Sequence, residues 1–588
     1  MFLLFISNIF SAQYVAIDVG TEYIKFAEST FSGEPRMLKD GVYPEILPTA
    51  AAFRSKKPLN YPLKEEDIRN SELRIGKSAL SILKKNESLG LNYITYSLGR
   101  LNSKYSPNTT LIAEKEELFG AYLYSRFQGY PITSGFVLVV PSYWTSQQRN
   151  SIARSLSLYN LPFLGSIDED SAYAVLYADT RATRFAEEPR NVLFIDVGAT
   201  SVKCYSHHYY WNSTHYFTEI SGTAISWTEK AGGLIFAQAY AERKNISLKK
   251  ARKQLSRLDV KTAAEILAPE VENLIKTIQD AIDTSIMTSK ALGLSSNIHE
   301  VQLVGGASQI PFISEMIKIL IKENEKEQEK DNETVPIEIK RDFNANEALA
   351  IGGIYSCMEN EGTSSYPSIR YLPIPPHSIY LTCGMRQKYC QKGNLCRETL
   401  IEQDFQGCDE IIFDTDLSQI PEGADPILNR YRLLNISNSN INSSAHQTVY
   451  FTLSPPAPAL KEVSWCVEGN NCTTIDFEEI HEKNFEEPTP FSTLFQKVSN
   501  EKFKKNKLIA KIADLIDKVS PLIGAVEDPG RTVDANDEKH KQMQEKMIKY
   551  KEMMDEGSFI SLNDHNLQNI YDDITIIYES ITKKKQEL

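Results

Sequence analysis

The sequence predicts a mixed α/β architecture over residues 13 to 357, a small all-β region over 369 to 480 and a helical region over 481 to 588. Three observations predict it. Apolar strand-like runs such as FVLVVP (136–141), NVLFIDVG (191–198) and EVQLVGG (300–306) alternate with amphipathic helical stretches, the pattern of strands covered by helices. Shorter strand-like runs, SIYLTCG, RYRLLNIS and HQTVYFTLS, follow among prolines and most of the cysteines. Last, LIAKIADLIDKV places Leu508, Ile509, Ile512, Leu515, Ile516 and Val519 on one face at helical spacing, so this part reads as a helical bundle or lid. The polar, Gly/Ser/Pro-bearing stretch ENEGTSSYPS (359–368) separates the first two regions, and residues 358 to 368 read as a linker.

The two ends and the cysteines speak to compartment. MFLLFISNIFSAQ opens with an apolar run too short to span a bilayer, and residues 1 to 12 read as a secretory signal peptide, although no Lys or Arg precedes the run. Eight Asn-x-Ser/Thr sequons, at Asn86, Asn108, Asn212, Asn245, Asn332, Asn435, Asn442 and Asn471, fit a glycoprotein. Six of the eight cysteines, Cys383, Cys390, Cys396, Cys408, Cys466 and Cys472, lie together. They are disulfide candidates in an oxidising compartment, with their pairing open, and no Cys-x-x-Cys pair supports zinc. The last four residues, Lys585-Gln586-Glu587-Leu588, resemble the Lys-Asp-Glu-Leu retrieval signal. Together these features place the chain in the lumen of the endoplasmic reticulum with no membrane span. A net charge of -13 with no basic run argues against a nucleic-acid partner.

One pattern carries chemistry. YVAIDVGTEYIKFAES (14–29) and NVLFIDVGATSVKCYS (191–206) each run strand, Asp, apolar residue, Gly, then a second strand. Such a hairpin lets glycine bring backbone N-H groups close to an anion, while the strand-end aspartate holds a hydrated Mg²⁺. Asp18 and Asp196 are 178 residues apart, which suggests a duplication presenting two hairpins to one nucleotide. VQLVGGASQIP (301–311) adds a third element, a strand, Gly305-Gly306 and a helix, where a nucleoside or phosphate can lie at a helix N-terminus. Each motif alone is more often a structural turn; the three in this order point to nucleotide binding. RIGKSAL (74–80) contains Gly-Lys-Ser, but Ser71 stands where a P-loop needs glycine. His207 and His208 are expected in a solvent-facing loop after the second hairpin.

These segments, with VLVVPSYWTSQQRNSI (137–152), IDEDSAYAVLYA (167–178), AGGLIF (231–236), LVGGASQIP (303–311) and NANEALAIGGIY (344–355), run in the order found in the heat shock protein 70 family. The chain resembles that family, within the actin-like ATPase superfamily, over roughly residues 13 to 357. DVGTEYIK, with Glu22, and IDEDSA resemble its large, divergent lumenal branch. The resemblance implies an actin-like two-lobed ATPase domain, ATP or ADP with Mg²⁺, and a chaperone role as holdase or as nucleotide exchange factor for the lumenal heat shock protein 70. Unfolded polypeptides would be its clients. It further implies an acidic triad of Asp18, Glu169 and Asp196, with Asp18 and Asp196 holding Mg²⁺ through water. Gly20, Thr21, Glu22 and Tyr23 would form the first phosphate loop and Gly198, Ala199, Thr200 and Ser201 the second. Gly232, Gly233, Gly305, Gly306, Ala307 and Gln309 would complete the nucleotide site.

Three departures weaken turnover. Thr95 stands where the family has a catalytic lysine, two glycines of the second hairpin are lost, and Lys203 replaces an aspartate seven residues after Asp196. The stretch between AERKNISLKKARKQLS and APEVENLIKTI is also shortened where the family grips adenosine. At most a weak ATPase is expected. The alternatives are a small-molecule (sugar) kinase of the same superfamily, an actin-like filament protein, and a client-binding protein whose nucleotide cleft has degenerated.

Overall fold

The computed structural model describes residues 14–29, 34–40, 43–59, 61–100, 111–130, 135–185, 188–214, 217–328, 336–360, 369–383, 385–392, 399–404, 410–434, 447–454, 459–467, 471–480, 488–524 and 538–587. The expected signal peptide and residues 361–368 of the expected linker lie outside them, while 358–360 close the helix Ala348–Asn360. The chain forms two compact units, one of Met1–Leu63 with Ser71–Thr489, the other of Lys64–Asn70 with Pro490–Leu588.

Two mixed sheets carry the first unit. β1 (Tyr14–Asp18), β2 (Tyr23–Ser29), β3 (Pro35–Met37), β4 (Ile46–Pro48), β5 (Gly135–Val140) and β6 (Phe163–Asp168) form the first, in the order β6-β5-β1-β2-β3 with β4 also on β2. β1 is central and buried at every residue, which is why YVAID is apolar until its last position. The second sheet contains β7 (Arg190–Val197), β8 (Val202–Asn212), β9 (Phe217–Thr228), β10 (Glu300–Val304), β11 (Glu338–Lys340) and β12 (Ile369–Leu372), in the order β11-β10-β7-β8-β9-β12.

The two hairpins share one register. Asp18 faces Lys25 across β1 and β2, and Asp196 faces Lys203 across β7 and β8. Each aspartate strand also runs parallel to the next strand inward, pairing Asp18 with Val139 of β5 and Asp196 with Val304 of β10. Directly opposed residues of an antiparallel pair project to one face of the sheet. The register therefore delivers each lysine to the aspartate.

Helices cover these sheets. α1 (Glu169–Phe185) begins where β6 ends and packs on α2 (Ala348–Asn360), where a Cβ on Gly352 would overlap the Ala172 carbonyl; only glycine permits that approach. Leu274, Ile278, Ala281 and Ile282, four residues of the helix Ala268–Ala291, join the core of the second sheet with Leu193, Ile195 and Leu303.

Two findings differ from the sequence reading. His207 and His208 lie within β8, which runs on to Asn212, and both are buried; a strand covered on both faces buries consecutive side chains. Burial holds both imidazoles neutral, with pKa values lowered to about 3 for His207 and about 4 for His208. Ile369–Leu372, read as the start of the β-rich region, pairs parallel with β9 instead, because β9 offers an open edge to an extended segment.

Beyond β12, a five-stranded sheet built on Ile379–Cys383 and a four-stranded sheet of Thr399–Asp404, Gln447–Ser454, Ala459–Val467 and Asn471–Thr474 follow. Leu381, Ile411, Phe413, Tyr431 and Val463 form their shared core. Cys383 and Cys390 each take part in a disulfide, whereas Cys204 and Cys357 are free and buried. Cys396 and Cys408 lie outside the described residues, and Cys466 opposes Cys472 in the strand register.

The second unit holds the helices Pro490–Gly524, Glu538–Asp555 and Asp564–Glu587. Ile512, Ile516 and Val519 of the expected stripe are buried with Leu567, Ile570 and Ile574, and Leu508, Ile509 and Leu515 flank them. The short helix Glu65–Arg69, from the N-terminal part of the chain, belongs here, with Arg69 bonded to Glu501 at 2.6 Å and Lys497 to Glu65 at 3.1 Å. Exposed pairs of this kind add little stability. Among the described residues no helix is long and apolar enough to cross a membrane.

Candidate functional site

A cavity of about 320 Å³ opens between the two hairpins. Asp18, Gly20, Thr21, Glu22 and Tyr23 line it from the first hairpin, Asp196, Gly198, Ala199 and Ser201 from the second, and Glu169, Gly233, Gly305, Gly306 and Ala307 from other elements. Three expected residues stand off the lining. Thr200 turns away to share a 2.8 Å hydroxyl hydrogen bond with Thr21, tying the two loops together. Gly232 lies beneath the second loop, where a Cβ would meet Ala199 and Ser201, and Gln309 is exposed on the turn after Gly306.

Backbone geometry shapes the loops. The carbonyl groups of Gly198 and Ala199 accept hydrogen bonds from the N-H groups of Gly233 (2.9 Å) and Leu234 (2.7 Å), seating the second loop on the first turn of the helix Gly233–Lys244. Gly305 has φ +76° and a position where any Cβ would come within 2.6 Å of the Val197 carbonyl oxygen, so no other residue fits there without strain. Thr95, in the family's lysine position, donates its hydroxyl to the Gly20 carbonyl at 2.9 Å. It supports the loop and brings no charge.

The acidic triad is assembled, and lysines hold it. Lys25 Nζ lies 2.5 Å from Asp18 Oδ2. Lys203 Nζ bridges Glu169 Oε2 at 2.6 Å and Asp196 Oδ2 at 3.0 Å. Tyr205 donates to Glu169 and Tyr173 to Asp196, each at 3.1 Å. Burial disfavours the Lys203 ammonium, but Asp196 and Glu169 outweigh it and its pKa is raised. Burial raises the pKa of Glu169, with Lys203 pulling it back.

Lysines therefore contact both of the aspartates expected to hold Mg²⁺ through water. A hydrated divalent ion needs carboxylate oxygens turned to its shell, and here one oxygen of each carboxylate, Asp18 Oδ2, Glu169 Oε2 and Asp196 Oδ2, faces an ammonium group. Among the described residues no group of three or more His, Cys, Asp or Glu is placed to hold a metal.

Several lining residues escaped the sequence reading. Arg252 pairs with Glu22, and Arg100 clasps Glu229 at 2.5 and 2.9 Å while reaching the Glu422 carbonyl of the β-rich region at 3.1 Å. Tyr143, stacked on Trp227 with centroids 4.1 Å apart, adds an aromatic wall. Lys25 had a signal: Asp-Val-Gly-x-x-x-x-Lys occurs in both hairpins, at 18–25 and 196–203. The arginine pairs join distant segments and leave no local trace.

No family model matches the chain. It is similar to "Hypoxia up-regulated protein 1" of Xenopus laevis, 23% identical over 432 residues that make up 60% of this chain and 62% of that protein. The protein of the same name from Homo sapiens is 24% identical over 416 residues, 58% of this chain and 39% of that one. "Heat shock protein 110" of Caenorhabditis elegans is 25% identical over 266 residues, 38% of this chain and 31% of that protein. The match thus covers less than two thirds of each relative's length.

Proposed function

We propose that this chain, a divergent relative of the heat shock protein 70 family that resembles its large lumenal branch, is a chaperone whose cleft holds an adenine nucleotide as a ligand rather than turning it over. The observation that carries this reading is the pair of hairpins in matched register around one cavity, with the triad Asp18, Glu169 and Asp196 brought together and each member held by a lysine. Placement of these groups favours binding. Hydrolysis also asks for a group to orient the attacking water, and Thr95, whose hydroxyl is given to the Gly20 carbonyl, does not supply it.

Arg100 connects the cleft to the β-rich region through Glu229 and the Glu422 carbonyl, and a ligand-set clamp would use such a link. The proposed setting is the lumen of the endoplasmic reticulum, with unfolded polypeptides and the lumenal heat shock protein 70 as partners. Disulfide-bonded Cys383 and Cys390 support an oxidising compartment. In this setting the chain acts as holdase, as exchange factor, or as both.

The test is stopped-flow release of fluorescent ADP from the lumenal heat shock protein 70, with and without this chain and ATP. Acceleration that needs ATP is the expected result for an exchange factor. Absence of acceleration, together with suppressed aggregation of a denatured client, leaves the holdase alone.

A second reading has an observation behind it. Every charged side chain that lines the cavity is paired within the chain, Glu22 with Arg252 and Glu229 with Arg100 as well as the triad with its lysines, as a cleft without nucleotide would require. Client protection unchanged by ATP and by Asp18→Asn would favour it. A small-molecule kinase fits less well, because a base must be free to take the acceptor's proton and the three carboxylates are all engaged.

A further inference from the structure

The centre of the cleft offsets most of its charge without an added ion. Asp18, Glu169 and Asp196 contribute three negative charges, and Lys25 and Lys203 contribute two positive ones at 2.5 to 3.0 Å. The remainder is a single negative charge. One divalent cation held by the same three carboxylates would leave that same remainder.

Position agrees with charge. Each lysine reaches its aspartate because the hairpin register sets the two opposite each other, Asp18 to Lys25 and Asp196 to Lys203. The lysine side chains are 14% and 6% exposed and the carboxylates 3%. Buried charges of this kind stay where they are because either partner alone would be stranded. A divalent ion entering among the carboxylates would meet two like charges at close range and would have to displace both.

An ammonium still has something to offer a phosphate. It carries three N-H donors; Lys203 directs two at Glu169 and Asp196, and Lys25 directs one at Asp18. The remaining donors are not taken up by these carboxylates, and Lys25 and Lys203 line the same cavity as Gly20, Gly198 and Ser201. An ammonium, unlike a bound metal ion, has no coordination position in which to make water acidic. Charge is supplied and water activation is not.

We infer that Lys25 and Lys203 stand in for the divalent cation of this cleft, which takes a nucleoside polyphosphate free of metal and has no place for Mg²⁺. The inference rests on the nucleotide reading above for its ligand and on the lysine geometry alone for its exclusion of metal.

The test has two arms on the full chain. In the first, N-methylanthraniloyl-ATP is titrated in excess EDTA or excess MgCl₂. The expected dissociation constants agree within about threefold for the natural chain, while Lys203→Asp binds at least about tenfold more tightly with MgCl₂ than with EDTA. A natural chain that loses about tenfold or more of its affinity in EDTA overturns the inference.

In the second arm the melting temperature is measured with and without MgCl₂ and with no nucleotide. The natural chain is expected not to respond, and Lys203→Asp is expected to melt lower and to be restored by MgCl₂. Lys25→Asp, at the shallower pair, serves where the Lys203 variant does not fold. A natural chain stabilised by MgCl₂ overturns the inference. Should the nucleotide bind in neither condition, the nucleotide reading falls together with the ligand half of the inference, and the melting arm alone decides whether the lysines replace the metal.

Discussion

The hairpin after Asp18 and the hairpin after Asp196 share a register, a turn glycine and an opposing lysine, yet their lysines do unequal amounts of binding. Lys25 meets one carboxylate, with its side chain partly open to the cavity. Lys203 meets two, more deeply buried, and Tyr173 and Tyr205 donate to those same carboxylates. The duplicated pattern fixes where the lysine sits. What surrounds the second copy, namely Glu169 at the start of α1, turns a pair into a bridge across two elements.

The largest expected effect follows from that inequality. Lys203→Met leaves two buried carboxylates without a counter-charge and should destabilise the chain by about 3–5 kcal/mol, whereas Lys25→Met should cost about 1–3 kcal/mol. Urea denaturation of both variants measures the gap, and equal costs would mean that the second hairpin gains nothing from Glu169. Adding Glu169→Gln to Lys203→Met should return part of the loss, because the two residues share one network.

Acid should separate the two sheets next. No histidine precedes residue 207, so the first sheet has none, while His207 and His208 are buried in the second with pKa values lowered to about 3 and about 4. His377, buried beside the Tyr143 carbonyl at 2.9 Å, is likewise lowered to about 4. A folded-state pKa below the unfolded value means that the unfolded chain binds the proton first. Stability is therefore complete above the unfolded value of about 6.5 and is lost as pH falls from there toward the folded values. Each histidine should cost about 2 kcal/mol at pH 5 relative to pH 7. Hydrogen exchange at the two pH values should show β7 and β8 losing protection before β1 and β2.

A smaller effect tests the tie between the loops. Thr200→Val removes the hydroxyl that meets Thr21 at 2.8 Å and should cost about 1 kcal/mol. Its denaturation midpoint measures this, and a cost shared by Thr21→Val but not doubled in the pair would assign it to the one hydrogen bond.

How far the sequence reaches depends on whether a feature is local. Strands, turn glycines and the two aspartates were legible because apolar runs ending in Asp-x-Gly are contiguous, whereas Glu169 came only from the family resemblance. Lys203 was visible as a departure, but the direction of its side chain came only with the register. Lys25 sat in plain view at the same spacing, and its meaning needed the second copy beside it.

Non-local features were out of reach. Arg252 and Glu22 come from segments 230 residues apart, and nothing near either residue marks the other. The histidines were misplaced because β8 extends to Asn212, beyond the point where alternation of apolar and polar residues stops being a guide. Ile369–Leu372 reads as a strand in isolation, but which sheet edge it joins is decided by an open row of backbone groups on β9. The same limit hid the place of Glu65–Arg69, whose partners lie more than 400 residues away.

The most direct measurement is the identity of the nucleotide recovered from the full chain after incubation with ATP and MgCl₂ and removal of free ligand. The account predicts intact ATP, bound at one site per chain. Recovery of ADP would contradict a cleft that binds without turnover, and recovery of no nucleotide would contradict the cleft itself.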